Sequence, residues 1–261
     1  MKKIHIQIAE HRVEAASDSS ALLKLFERNF QTAARDGCVK PDLFIQIEDG
    51  YGIPFVDYKI KTVKKSDRIF FYRADYLIEA HLDYSSAKIF VHNDLALKHA
   101  LIHLYSSYLV YQNWGLLFHA SCVIENDKAH LFTGPSGAGK STVAQLSSPR
   151  ELLADEAAVV KITPDAITVF NSPFRSELET ADAKGNRPLA SIQILHQAPQ
   201  NRRIYLQKSN GLLRLMDKVF YWAHNPEETK KILGLLNILA KTVPIYELHF
   251  QKNDSFWELI S

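Results

Sequence analysis

Residues 4–8 alternate apolar and polar with period two, and residues 12–15 resume the alternation after a short break, so the pair reads as a β-hairpin. Ser19 and Ser20 then offer an N-cap for an amphipathic helix with Leu22, Leu23, Leu25 and Phe26 on or beside its apolar face. Three further stretches, residues 43–47, 68–72 and 88–92, carry strand patterning. Turn signals divide them: Asp49-Gly50, Gly52 with Pro54, and Ser85-Ser86. Short strands around one helix give this region an α+β character, and it has no catalytic signature.

From Asp94 to Trp114 the period becomes helical. Leu97, Ala100, Leu101, Leu104, Leu109 and Tyr111 form an apolar face broad enough to predict a well-buried helix, which Gly115 is expected to end. Tyr105, Tyr108, Tyr111 and Trp114 fit core packing better than a ligand box. Residues 116–124 make a strong strand, residues 125–128 a turn, and residues 129–133 a second strand; so short a link implies antiparallel pairing. A glycine-rich loop follows, and a helix continues over 141–146. One strand is predicted over 152–162 with 166–170 folding back on it, then a strand at 191–195. Helices are predicted over 211–222 and 227–241, and a last strand at 245–250. The expected organisation is α/β, α+β overall, with a small N-terminal domain over 1–93 and a loop-bearing domain over 94–261.

The bulk numbers narrow the partners. The chain has 261 residues, 46% hydrophobic and 23% charged, ordinary values for a globular protein of one large or two small domains. No apolar run approaches the roughly 18 residues that span a bilayer. The basic N-terminus meets Glu10 and His11 before any sustained apolar stretch, which argues against a secretory signal. Cys38 and Cys122 form neither a disulfide framework nor a CxxC pair. These features point to the cytoplasm. A net charge of +2 demands neither nucleic acid nor an anionic membrane as a partner. The basic clusters at residues 59–65 and at Arg202-Arg203 read as solvated turn and edge residues.

The segment Gly134, Pro135, Ser136, Gly137, Ala138, Gly139, Lys140, Ser141 matches G-x-x-x-x-G-K-[ST] at every fixed position, with Thr142 next. A chance match arises in roughly one chain in a hundred of this length, and the strand–loop–helix context lowers that further. Glycines let successive N–H groups point inward at a phosphate. The helix beginning near Lys140 adds the positive end of its dipole. Lys140 can neutralise the outer phosphates, and Ser141 can ligate the Mg²⁺ that bridges them. The motif by itself specifies a nucleoside triphosphate, here ATP with Mg²⁺, and leaves the chemistry to its surroundings.

Asp155 and Glu156 stand near the end of a strand expected beside the loop strand. One carboxylate there can hold Mg²⁺ and the other can take a proton from an attacking hydroxyl. Asp155 is assigned as base and Glu156 to the metal side. His119, mid-strand between Phe118 and Ala120, taken alone fits a core histidine better than a catalytic one. His130 has similar standing.

The stretch from His119 to Glu156, HASCVIENDKAHLFTGPSGAGKSTVAQLSSPRELLADE, resembles the catalytic core of HPr kinase/phosphorylase and its relatives. A histidine before a small residue, a hairpin, the G-x-S-G-x-G-K-S loop and an acidic pair recur in that order. The resemblance implies an HPr-kinase/PEP-carboxykinase-like core with a mixed sheet. It places His119 beside the active site, makes Asp155 the base toward a serine hydroxyl, and gives Glu156 a part in holding the metal. Three features depart from the pattern: the second acid is Glu, the segment from the loop to the acids is shorter, and the later E-I-R-G-like signature has only an echo around Arg187, a candidate phosphate contact. Reverse phosphorolysis is therefore not expected. HPr-kinase-like proteins of peptide-biosynthesis clusters, some of which act on the C-terminal serine of lasso-peptide precursors, are the better match. The resemblance implies an ATP-dependent serine kinase acting on a peptide or small protein, with a tendency to form homo-oligomers. Its N-terminal domain becomes a candidate for acceptor recognition.

Other classes fit less well. The string from Gln207 to Asn210 lacks the aspartate that reads guanine, and Asp182 to Gly185 mimics D-x-x-G only as short strings do. The short gap from Lys140 to Asp155 argues against a transport or remodelling ATPase. A small-molecule hydroxyl kinase and a non-catalytic ATP sensor remain as alternatives.

Overall fold

The computed structural model describes residues 1–32, 40–176, 184–222 and 224–261. Cys38 and Asp182 lie outside the described residues. The chain divides into two compact units, Met1–Tyr111 with Tyr221–His224, and Gln112–Phe220 with Asn225–Ser261. The helix that the sequence places at the head of the second domain is thus grouped with the first unit. No helix among the described residues is long and apolar enough to cross a membrane.

In the first unit the hairpin forms as patterned, β1 (Lys2–Ile8) against β2 (His11–Ser17), with Ala9 in a left-handed turn conformation at φ 52°. Helix α1 (Ser20–Asn29), β3 (Gln31–Thr32), β4 (Leu43–Glu48), β5 (Lys61–Lys65), β6 (Arg68–Tyr72), β7 (Tyr76–His81), β8 (Ser86–Val91) and α2 (Asp94–Tyr111) follow. The sheet order is β3-β1-β2-β4-β8-β7-β6-β5. Ile45, Ile47, Ile78, Ala80, Ile89 and Val91 are buried and alternate with partly exposed residues, the signature of a sheet with one covered face. The basic stretch at 59–65 contains β5, an edge strand whose lysines face solvent. Strand β7 escaped the sequence reading because Glu79 and His81 break an otherwise apolar run.

Helix α2 is buried on nearly all sides, which removes the polar stripe that would reveal its orientation. Gly115 does not end it. The chain turns at Asn113, with φ 52°, and Gly115 begins the next strand. A Cβ at Gly115 would lie 2.1 Å from the Val160 carbonyl oxygen, so close strand approach is what requires glycine there.

The second unit holds β9 (Gly115–Glu125), β10 (Lys128–Thr133), α3 (Lys140–Leu146), β11 (Leu152–Ala154), β12 (Ala157–Ile162), β13 (Ile167–Phe170), β14 (Asn186–Gln197), β15 (Arg202–Tyr205), α4 (Lys208–Leu215), α5 (Pro226–Thr242) and β16 (Ile245–Phe250). Asn126 and Asp127, both at positive φ, make the two-residue turn between β9 and β10. Strands β9 and β14 are long and change partners along their length. Residues 115–119 of β9 pair with β12 while 120–125 pair with β10. The start of β14 pairs with β13, and its later residues run parallel to β10 and to β16. The path β10-β9-β12-β13-β14 therefore returns to β10. The result is a mixed sheet.

Three expectations change here. The strand expected over 152–162 is two strands, β11 and β12, interrupted at Asp155 and Glu156. The acidic pair is also not on the neighbour of the loop strand, because β9 lies between. The helix expected over 211–222 ends in a 3₁₀ turn at Lys218, and the chain then becomes extended.

Candidate functional site

β10 delivers the chain into the glycine-rich loop, and α3 takes it out. Val143 and Ala144 of α3 are buried in a cluster with Val123, Phe132, Leu195, Leu248, Phe250, Phe256 and Trp257, so the first turn of the helix is fixed against the sheet. Ser147 donates to the Val143 carbonyl at 2.6 Å and accepts from Trp257 Nε1 at 3.1 Å, which anchors the far end. Gly139, just before the helix, has φ 107°, and a Cβ there would sit 2.7 Å from Phe250 Cζ. Both the backbone angle and the contact exclude a larger residue.

Lys140 is 8% exposed and folds back over the loop, its Nζ donating to the carbonyl oxygens of Gly134 at 3.0 Å and Pro135 at 3.1 Å. Pro135, Ser136, Gly137 and Ser141 face solvent, with Ala138 and Thr142 half-buried. The loop thus presents its exposed rim beside a cation held by exchangeable carbonyl contacts. An anion with several oxygens can replace those contacts.

The neighbouring strand β9 ties this loop to the predicted acids. The Thr133 hydroxyl donates to the His119 carbonyl oxygen at 2.8 Å, and the Ser121 hydroxyl to that of Lys140 at 3.2 Å. On the other edge of β9, the Ala120 amide donates to the Glu156 carbonyl oxygen at 3.1 Å, and His119 stands opposite Ala157. Thr133, Ala120 and Glu156 form one row across the sheet, so the loop and the acidic pair lie about 10 Å apart, two strand spacings. The break between β11 and β12 places Asp155 and Glu156 where the ladder is interrupted. Asp155 is 3% exposed; Ser176 donates to it through its amide, 3.1 Å from each carboxylate oxygen, and through its hydroxyl. Glu156 is half-buried.

His119 is neutral. Burial, aided by the positive charges of Lys140 and Lys218, holds its imidazole at about 4, and its ring packs on Phe220 at 5.3 Å between centroids. Burial, with Lys218 adding a like charge, also lowers the Lys140 ammonium. Lys218 escaped the sequence reading because helical periodicity runs through it. β10 leaves the edge of β9 after Thr133, and the chain at 219–220 takes its place: Val219 bridges Phe118 and the Phe220 amide donates to the Leu117 carbonyl at 2.8 Å. Lys218 is therefore brought alongside His119 where the loop begins. It is 8% exposed and pairs with the exposed Asp217 at 2.5 Å.

Arg187 is not brought to this site. It lies at the start of β14, near the Asp127 turn (Nε to Oδ1 3.5 Å), while Ile194 is the residue of β14 opposite Thr133. Seven residues of strand, roughly 23 Å, separate it from the loop. His130 is buried and bonds Ser191 Oγ at 2.8 Å, as a core histidine does. Among the described residues no group of three or more His, Cys, Asp or Glu side chains could hold a metal ion by itself. A nucleotide-bound Mg²⁺ needs less, because phosphates and waters fill most of its sphere.

A search of the curated proteins found no match. Among solved structures, the Hpr(Ser) kinase/phosphatase from Coxiella burnetii is similar over 34% of this chain and 69% of that one, at 14% identity and a TM-score of 0.24, a likeness too slight to fix fold or activity. The family model described as SynChlorMet cassette protein ScmC matches residues 88–261, more than half of the chain. The protein belongs to the SynChlorMet cassette protein ScmC family.

Proposed function

We propose that the chain is an ATP-dependent kinase that transfers the γ-phosphate to a serine hydroxyl of a peptide or small protein. The observation that carries this reading is the row joining the glycine-rich loop, His119 and the Asp155–Glu156 break across β9. Loop N–H groups and Lys140 would hold the triphosphate, with Lys218 as a second cation near its outer end. Ser141 and Glu156 would hold Mg²⁺, whose charge offsets that of the phosphates. Asp155 takes the proton of the acceptor hydroxyl as its oxygen bonds to the γ-phosphorus; the bond from that phosphorus to the bridging oxygen breaks, and ADP leaves. Neutral His119 can accept a hydrogen bond from the acceptor or orient it without adding charge. The core would then be of the HPr-kinase type, and the first unit would recognise the acceptor. By the sequence resemblance, a C-terminal serine of a lasso-peptide precursor is the acceptor to try first. The test is incubation with γ-labelled ATP and Mg²⁺, offering serine peptides, free serine and common metabolites. Phosphoserine on a peptide supports the reading. ATP binding with no acceptor ever labelled contradicts it and favours an ATP sensor, whereas label confined to a metabolite makes the chain a small-molecule kinase.

A further inference from the structure

β10 and its loop have two flanks, set by strand order. On the β9 flank stand His119, Asp155 and Lys218, the groups assigned above to the reacting end. On the β14 flank the ends of β14 and β16 and the first turn of α3 surround a cavity of about 400 Å³ lined by Thr142, Gln197, Ala198, Pro199, Phe250 and Lys252. Its size falls within the roughly 300–1,000 Å³ of small-ligand pockets. We propose that this cavity takes the nucleoside end of the triphosphate, so that the nucleotide lies across the loop with its base at β14 and its γ-phosphate toward β9. The inference rests on the kinase reading and adds the orientation and the base site.

The wall chemistry is that of a nucleoside. Ala198, Pro199 and Phe250 offer apolar surface to a flat base, and the Thr142 hydroxyl, Gln197 amide and Lys252 ammonium offer polar contacts to ribose and ring nitrogens. The cavity is joined to the loop in two places. Gln197 Nε2 donates to the Gly137 carbonyl oxygen at 2.8 Å, and Phe250 fills the space beside Gly139 that any side chain would need. The Ala198 amide donates to the Phe250 carbonyl at 3.0 Å, which fixes one wall to the sheet. A ligand seated here reaches the loop through Thr142, on the flank away from His119.

Ala198 is partly exposed on that wall, so Ala198→Trp fills the cavity without entering the core. The experiment measures ATP and inorganic triphosphate binding, each with Mg²⁺, by calorimetry on wild type, Ala198→Trp and Lys252→Ala, with circular dichroism to check the fold. The expected result is an ATP affinity reduced about tenfold or more in Ala198→Trp and less in Lys252→Ala, with triphosphate affinity unchanged in both. Unchanged ATP binding in Ala198→Trp, or equal losses for both ligands, overturns the cavity assignment and leaves the kinase reading standing. A wild-type chain that binds neither ligand overturns both.

Discussion

Ser176 donates its amide and its hydroxyl to the carboxylate of Asp155, so the proposed base already holds a serine hydroxyl from its own chain. An acceptor hydroxyl must displace that contact before Asp155 can take its proton. Ser176→Ala is therefore expected to lower the KM for a peptide acceptor by about 2–10-fold, the worth of one net hydrogen bond, while kcat is retained. Steady-state kinetics against peptide concentration measures this. Loss of kcat would show that the Ser176 hydroxyl serves the reaction itself.

Lys218 and Lys140 both press the His119 imidazole toward its neutral form, although burial is the larger cause. Removing a like charge relieves part of the effect. In Lys218→Ala the His119 pKa should rise above about 4 but stay below its ordinary value, because the burial remains. A titration of the His119 ring protons by NMR reads the shift. An unmoved pKa would place Lys218 too far away to act as a second cation.

Gly139→Ala combines a left-handed backbone angle with a Cβ directed at the Phe250 ring. The strain is expected to cost about 1–3 kcal/mol, measured by denaturant unfolding. ATP affinity should fall as well, since relief by moving the loop disturbs the cradle.

Stability should fall in mild acid. Burial, first among the causes in each case, holds His99, His119 and His130 at about 4, below the ordinary histidine value of 6.5. Between those values the unfolded chain binds protons that the folded chain refuses, so stability rises with pH. Their contribution is complete above about pH 6.5 and is lost as pH falls toward 4. Thermal unfolding scans from pH 7 down to 5 should show a steadily falling Tm. A flat profile would mean these rings are reached by solvent.

The loop was legible from sequence because its requirements are local: glycine where φ is positive, then lysine at the start of a helix. The hairpin before it was legible for the same reason, with Asn126 and Asp127 supplying the turn. The break at Asp155 and Glu156 was not, since apolar residues on both sides continue one strand pattern. Lys218 was hidden by helical periodicity that outlasts the helix; a tertiary contact with β9 ends it instead. The position of Arg187 follows from the direction of β14 relative to β10, which no local pattern encodes. Sequence reading therefore located the loop and the acidic pair along the chain, and only the fold shows on which flank of the loop the acids and Lys218 stand.

The most direct test compares wild type with Asp155→Asn in one preparation, measuring MgATP affinity and the rate of phosphoryl transfer to a serine peptide. Asparagine keeps the side chain's size and an acceptor for Ser176 but cannot take a proton at neutral pH. The account predicts unchanged ATP affinity and a transfer rate lower by about two or more orders of magnitude. A variant that transfers phosphate at the wild-type rate, or that loses ATP binding as fully as Lys140→Ala does, would contradict it.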